Sequence, residues 1–216
     1  MDTHFLQLSL GSDCRMAYHQ WGDPDNPQVL VCVHGLARNG RDFDYIARKL
    51  CDEYRVICPD IVGRGASDWL PGDVHYAMPL YFEHLQALLV ELQVRQVDWV
   101  GTSMGGILGM LLASLPDSPV GRLVLNDVGI HIPNRPLQRI VQYIADYGFA
   151  SLDDVEAYMR RTYRAFQDLE DEQWRHLALH GHRIDRTGRY RLHYDPRIAE
   201  AFTVSEAENI DLLPYW

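Results

Sequence analysis

Val97-Asp98-Trp99-Val100-Gly101-Thr102-Ser103-Met104-Gly105-Gly106 is an apolar strand pattern that runs directly into Gly-x-Ser-x-Gly. The residues after it, Ile107 to Leu115, form an apolar, Gly- and Ala-rich run suited to a helix buried against a sheet. A serine at a sharp strand-to-helix turn has its hydroxyl pushed out at the top of the sheet. The N–H of the next residue, Met104, then faces the same point as the helix N-terminus. The flanking glycines suit a strained turn that leaves no room for side chains beside it. In this strand–turn–helix setting the pattern reads as a nucleophile elbow, with Ser103 as the nucleophile.

On either side of the elbow the chain alternates strands and helices. Phe5 to Leu10 and Arg15 to Trp21 read as short strands, followed by the turn-rich Gly22-Asp23-Pro24-Asp25-Asn26-Pro27. Val29 to Val33 is a continuous apolar run, the mark of a strand covered on both faces. Asp42 to Leu50 reads as a helix, Arg55 to Cys58 as a buried strand and Pro79 to Leu92 as an amphipathic helix. Val97 to Val100 and Val120 to Leu125 complete the series. Such alternation predicts an α/β protein with a mostly parallel sheet and helices on both faces.

After Gly129 the Val/Ile-rich runs stop. Leu137 to Tyr147, Leu152 to Phe166 and Asp171 to His180 read as helices, followed by a more polar piece from Arg183 to Tyr194. This predicts a mainly helical lobe over the carboxyl edge of the sheet, where ligands bind in open α/β sheets. Tyr143, Tyr147, Tyr158, Tyr163, Phe166 and Trp174 are candidates for an apolar pocket lining, although aromatics at helical spacing equally suit a core.

Other residues gather around Ser103. Val33-His34-Gly35-Leu36 ends the third strand, beside the strand that carries Ser103. The backbone N–H of Leu36, with that of Met104, can face a developing oxyanion. His34 reads as a brace of its own loop rather than as the catalytic base. Asp60-Ile61-Val62-Gly63-Arg64-Gly65-Ala66-Ser67 reads as a tight structural turn, since no complete phosphate-loop pattern is present. Asp127, at the end of the sixth strand, is either an acid serving the site or a cap for the turn that follows.

In these residues the chain resembles the α/β-hydrolase family, specifically its capped serine hydrolases. The resemblance covers about residues 5 to 130. It rests on His34-Gly35, the Asp60 to Ser67 turn, Gly101 to Gly106 and Leu123-Val124-Leu125-Asn126-Asp127-Val128-Gly129. It implies a core over 1–130, a helical cap over 131–208 and a return toward the core over 209–216. It also implies hydrolysis of a carboxylic ester or related acyl bond by a Ser–His–acid triad, with no cofactor. Ser rather than Asp at position 103 disfavours the dehalogenase and epoxide-hydrolase branches. Hydrolysis of a carbon–carbon bond in a diketone-like acid uses the same core, and a non-catalytic ligand-binding protein on this scaffold is a further alternative.

The chain departs from the family pattern at its end. Six strands precede the lobe, whereas the family core has eight, with the acid and then the histidine after the nucleophile. Asn209 to Trp216 looks like the lead-in to a seventh strand, so the chain reads as a version truncated before the last two core strands and the catalytic histidine. His131, His176, His180, His182 and His193 fall in or near the lobe and read as surface or packing residues. His180-Gly181-His182 has no accompanying carboxylate pattern, so no metal site is expected.

Composition fits this reading. A 216-residue chain that is 47% hydrophobic and 23% charged is long enough to bury a sizeable core. A formal net charge of −10 argues against nucleic acid or an anionic membrane as partner. A small-molecule substrate and a possible homo-oligomer remain. No basic segment leads into an apolar one at Met1-Asp2-Thr3-His4. Cys14, Cys32, Cys51 and Cys58 lack metal-ligand spacing, which together predicts reduced thiols in the cytoplasm.

Overall fold

The computed structural model describes residues 1–8, 14–133, 144, 147–164, 166, 168–199 and 210–215. Six strands form one sheet: β1 (Asp2–Leu8), β2 (Cys14–Trp21), β3 (Val29–Val33), β4 (Arg55–Pro59), β5 (Val97–Thr102) and β6 (Val120–Asn126), in the order β1-β2-β4-β3-β5-β6. β1 and β2 pair antiparallel, as do β2 and β4, while β4, β3, β5 and β6 run parallel. This is the mostly parallel α/β sheet that the alternation predicts.

All five residues of β3 are buried. Val29, Val31 and Val33 pack into one apolar cluster and Leu30 and Cys32 into another. A strand whose alternate side chains enter two cores must be covered on both faces. The smaller cluster takes Phe43 and Ala47 from the segment ending in α1 (Asp44–Leu50). The larger takes Leu85 and Leu88 of α2 (Met78–Glu91) and Leu108 and Leu112 of α3 (Met104–Ala113). A short 3-10 turn, Gly40–Phe43, precedes α1. The helix therefore begins two residues later than its apolar spacing suggests. The four cysteines form no disulfide. Among the described residues, no helix is long and apolar enough to cross a membrane.

Beyond β6 lie β7 (His131–Ile132), β8 (Gly148–Phe149), α4 (Leu152–Thr162), α5 (Asp171–His180), β9 (His182–Ile184) and β10 (Tyr190–Leu192). The first helix of the expected lobe, Leu137 to Tyr147, lies almost wholly outside the described residues. The other two are present and start at capping boxes, Ser151 with Asp154 and Glu170 with Gln173. The lobe is less purely helical than its sequence suggests, because β8, β10 and β9 form a three-stranded antiparallel sheet. Tyr190 and Leu192, in the polar piece from Arg183 to Tyr194, belong to that sheet, while Tyr194 bridges Arg64 outside it. The lobe also shares the larger apolar cluster with the core, through Tyr158, Trp174, Leu177, Tyr194 and Ile198. Near the chain end, β11 (Ile210–Asp211) pairs antiparallel with β7 rather than joining the main sheet, and an ion pair joins His131 and Asp211 at 3.1 Å.

Candidate active site

Ser103 stands between β5 and α3 with φ 50° and ψ −112°. Non-glycine residues rarely enter this region, and the surrounding structure must hold them there. Several contacts do so. The Ser103 N–H donates to the Asn126 carbonyl at 2.9 Å, extending the β5–β6 ladder onto the turn. The Ser103 carbonyl accepts from the N–H groups of Gly106 and Ile107 at 2.9 and 3.1 Å, so α3 is locked to the turn from its first residues. The indole N–H of fully buried Trp99 donates to the Gly105 carbonyl at 3.0 Å. Two glycines make the close approach possible. A Cβ on Gly101 would collide with the Gly105 backbone, and one on Gly105 would collide with the Val33 carbonyl.

The loop after β3 is held as tightly. His34 is buried, and its Nε2 is 3.0 Å from the Ile61 N–H. That donor obliges Nε2 to accept, so the ring proton is on Nδ1 and is donated to the Gly35 carbonyl at 2.7 Å. Burial pushes the imidazole down to about 4, so it is neutral at ordinary pH. The Arg38 N–H reaches the same Gly35 carbonyl at 3.1 Å. That carbonyl belongs to the peptide unit whose N–H is that of Leu36, so His34 and Arg38 fix the plane of the Leu36 N–H. The buried Arg64 guanidinium holds the next peptide, donating to the Leu36 carbonyl at 2.9 Å and stacking over Tyr81. The Met104 N–H is the first of α3, one of the donors that a helix leaves without an intrahelical acceptor. Gly35 lies close to the serine, since a Cβ on it would be 3.7 Å from the Ser103 Cβ.

The Asp60 to Ser67 turn is a buried anchor. The Asp60 carboxylate accepts from the N–H groups of Gly40 and Ala66 at 2.7 and 2.8 Å and faces His19 at 3.2 Å. Burial alone would raise this carboxyl, but the hydrogen bond with His19 and its charge outweigh burial and hold it low.

A cavity of about 350 Å³ opens beside the elbow, within the range of small-molecule sites. Thr102 and Asn126, at the ends of β5 and β6, form its floor with His34. Phe43, Phe166, Leu169 and Leu177 supply apolar wall, and Asp42, Asp168 and Gln173 supply polar groups. Of the six aromatics proposed as lining from sequence, Phe166 alone reaches this wall among the described residues, and Tyr143 lies outside them. Tyr147 and Tyr158 pack with Phe149, Tyr163 stacks on Phe166, and Trp174 is buried against Phe166. Phe43 and Tyr45 were missed. Their signal was their place soon after β3, in the 3-10 turn and first turn of α1 that follow its carboxyl end.

Asp127 follows Asn126 directly, is exposed, and has φ 54°. Residues 128–133 contain no helical turn, and the start of the lobe's first expected helix, from Leu137, lies outside the described residues. None of the ten histidines hydrogen-bonds the Ser103 hydroxyl among the described residues. His176 pairs with Asp44, His182 bonds the Ala178 carbonyl, and His131 faces Asp211.

The sequence pattern of the alpha/beta hydrolase fold family matches residues 28–192. The 3-hydroxybutyrate-oligomer hydrolase of Cupriavidus necator is 46% identical over 200 residues, an alignment covering 91% of this chain and 68% of that protein. A crystal structure of a protein from Rickettsia typhi superposes with a TM-score of 0.93 at 30% identity, covering all of this chain and 78% of that one. An alpha/beta hydrolase from Novosphingobium aromaticivorans gives 0.84 at 31% identity over 99% of this chain and 76% of its own. The elbow, the braced loop after β3 and these matches lead to one conclusion: the chain belongs to the α/β-hydrolase family.

Proposed function

We propose that this chain carries the nucleophile and oxyanion hole of a serine hydrolase acting on short carboxylic esters, among them oligomers of a 3-hydroxy acid. In this reading the Ser103 oxygen attacks the ester carbonyl as its proton passes to a base. The N–H groups of Leu36 and Met104 stabilise the oxyanion, the alcohol leaves, and water then releases the acid from the acyl-enzyme. Asp127 is the proposed acid, one residue beyond the Asn126 carbonyl that holds the Ser103 backbone. No histidine of this chain is assigned as the base. The relatives extend beyond the matched region, and we place the base in that additional part.

The observation that carries the reading is the strained backbone of Ser103 at the strand–helix turn, beside a mainly apolar cavity. The Cupriavidus relative supports the substrate class. The test uses the full-length natural protein with dimers and trimers of 3-hydroxybutyrate, an activated butyrate ester and a diketone-like acid. Saturable hydrolysis of the two esters, lost on the order of 10⁶-fold in kcat in Ser103→Ala, is expected. Turnover of the diketone-like acid alone would replace the ester reading with carbon–carbon cleavage, and turnover of nothing would favour a binding protein.

A further inference from the structure

On α5, His176 and His180 are four residues apart and share one helix face, with ring centroids 4.5 Å apart. Across the seam between lobe and core lies Asp44, the first residue of α1, whose side chain is almost fully buried. One donor atom from each of these three residues lies within 4.8 Å of the other two. We propose that Asp44, His176 and His180 form a site for a divalent transition-metal ion that clamps the lobe onto the core beside the candidate active site.

The distances suit such an ion. His176 Nε2 and the Asp44 carboxylate are 3.3 Å apart. A tetrahedron with bonds of about 2.0–2.1 Å has edges of roughly 3.3–3.4 Å, so that pair already spans one edge. The separations involving His180, within 4.8 Å, must close toward that edge for it to complete the site. Two imidazoles and one carboxylate select zinc, cobalt, nickel or copper over magnesium and calcium, which demand more oxygen donors. The Arg41 carbonyl, 3.1 Å from His176 Nε2, offers a further oxygen.

The protonation states also suit it. Burial, with the nearby Arg41 and His176, pushes His180 down to about 4, so its ring is a neutral ligand. Burial would raise Asp44, but hydrogen bonds from His176 and Arg41 hold it low, so it is ionised. The bond to Asp44 raises His176, so protons compete with a metal ion for this ring. The Arg41 guanidinium, 2.8 Å from the Asp44 carboxylate, opposes a dication and limits the affinity. It also fixes the carboxylate as outer-shell partners of metal ligands do.

The position gives the site a consequence. Phe43 and Tyr45, which flank Asp44, line the active-site cavity, as do Gln173 and Leu177 on the helix that carries both histidines. An ion bridging the two elements would hold the cavity wall in one arrangement. Without metal, the same residues are an ion pair across the seam.

The test loads chelator-treated full-length protein with Co²⁺ and then displaces it with Zn²⁺. One ion per chain is expected, with the strong visible absorption of low-coordinate Co²⁺ and a severalfold slowing of amide exchange in residues 171–180. His180→Gln should weaken binding by more than the roughly 10–100-fold that loss of an outer-shell partner costs. The His180 ring donates and accepts no hydrogen bond among the described residues, so this variant leaves the fold in place. His182→Gln, outside the cluster, should bind like the parent. No stoichiometric binding would overturn the proposal and leave Asp44–His176 as an ion pair only. Binding that survives His180→Gln but vanishes in His193→Gln would also overturn it, moving the ion to the adjacent cavity lined by His19, His182 and His193. Binding without slowed exchange would remove the clamp.

Discussion

His34 shows how much depends on the protonation of one side chain. It is neutral and buried, and it ties the loop that presents the Leu36 N–H, through Nδ1 and the Gly35 carbonyl, to the turn after β4, through Nε2 and the Ile61 N–H. Its folded pKa of about 4 lies below the ordinary 6.5, so the unfolded chain binds the proton more readily. The stability it contributes is therefore complete above pH 6.5 and is lost as the pH falls toward 4, on the order of 3 kcal/mol in all. Urea midpoints measured from pH 7 to 4 should fall steeply in the parent and less steeply in His34→Gln. Equal slopes would show that His34 is not the group being titrated. In the full-length enzyme the same variant should lower kcat more than it raises KM, because a loosened Leu36 N–H weakens the transition state specifically. Loss of one oxyanion donor is worth about 3–4 kcal/mol, and a displaced donor should cost part of that.

At the scale of elements, the elbow depends on how closely α3 approaches the sheet. Gly105→Ala would drive a methyl group into the Val33 carbonyl, which belongs to backbone and cannot swing away. Overpacking of this kind costs about 1–3 kcal/mol or more, and a thermal melt should show a clear loss. An unchanged melting temperature would mean that α3 does not approach β3 this closely. Trp99→Phe should cost about 1 kcal/mol for the lost bond to Gly105, together with the void the smaller ring leaves. The elements that were legible in the sequence are those with a strong local signal. β3 was marked by unbroken apolar residues, and the elbow by Gly101, Gly105 and Gly106 around the serine. The three-stranded sheet of the lobe was much less legible. β8 and β10 are two and three residues long, too short to establish a period, and their pairing is non-local. The pocket wall was partly hidden for the same reason, since Phe43 and Gln173 meet only through tertiary packing.

At the scale of the whole molecule, the lobe and core are tied by polar contacts over a shared apolar cluster. Asn39 donates to the His180 carbonyl at 2.9 Å, Gly65 to the His193 carbonyl at 3.0 Å, and His176 pairs with Asp44. The His176 pKa is raised in the folded state, so its contribution is complete below pH 6.5 and is lost as the pH rises through the raised value. The lowered Asp44 works the other way, its contribution falling away only in acid. In metal-free protein, amide exchange in α5 should therefore quicken as the pH is raised from 6 to 9, after correction for intrinsic rates, and Asp44→Asn should abolish that dependence. An uncorrelated profile would detach the pair from the seam. β6 forms an edge of the sheet among the described residues, with Val124 exposed. Edges of this kind invite pairing, so residues 1–216 expressed alone should self-associate in sedimentation, and a clean monomer would contradict this.

The central claim is that the strained backbone at position 103 presents an activated serine. The most direct measurement is fluorophosphonate labelling of the folded full-length protein followed by peptide mapping. The label should fall on Ser103, and Ser103→Ala, still folded by circular dichroism, should take up none. Labelling at another residue, or labelling that persists in Ser103→Ala, would contradict the account.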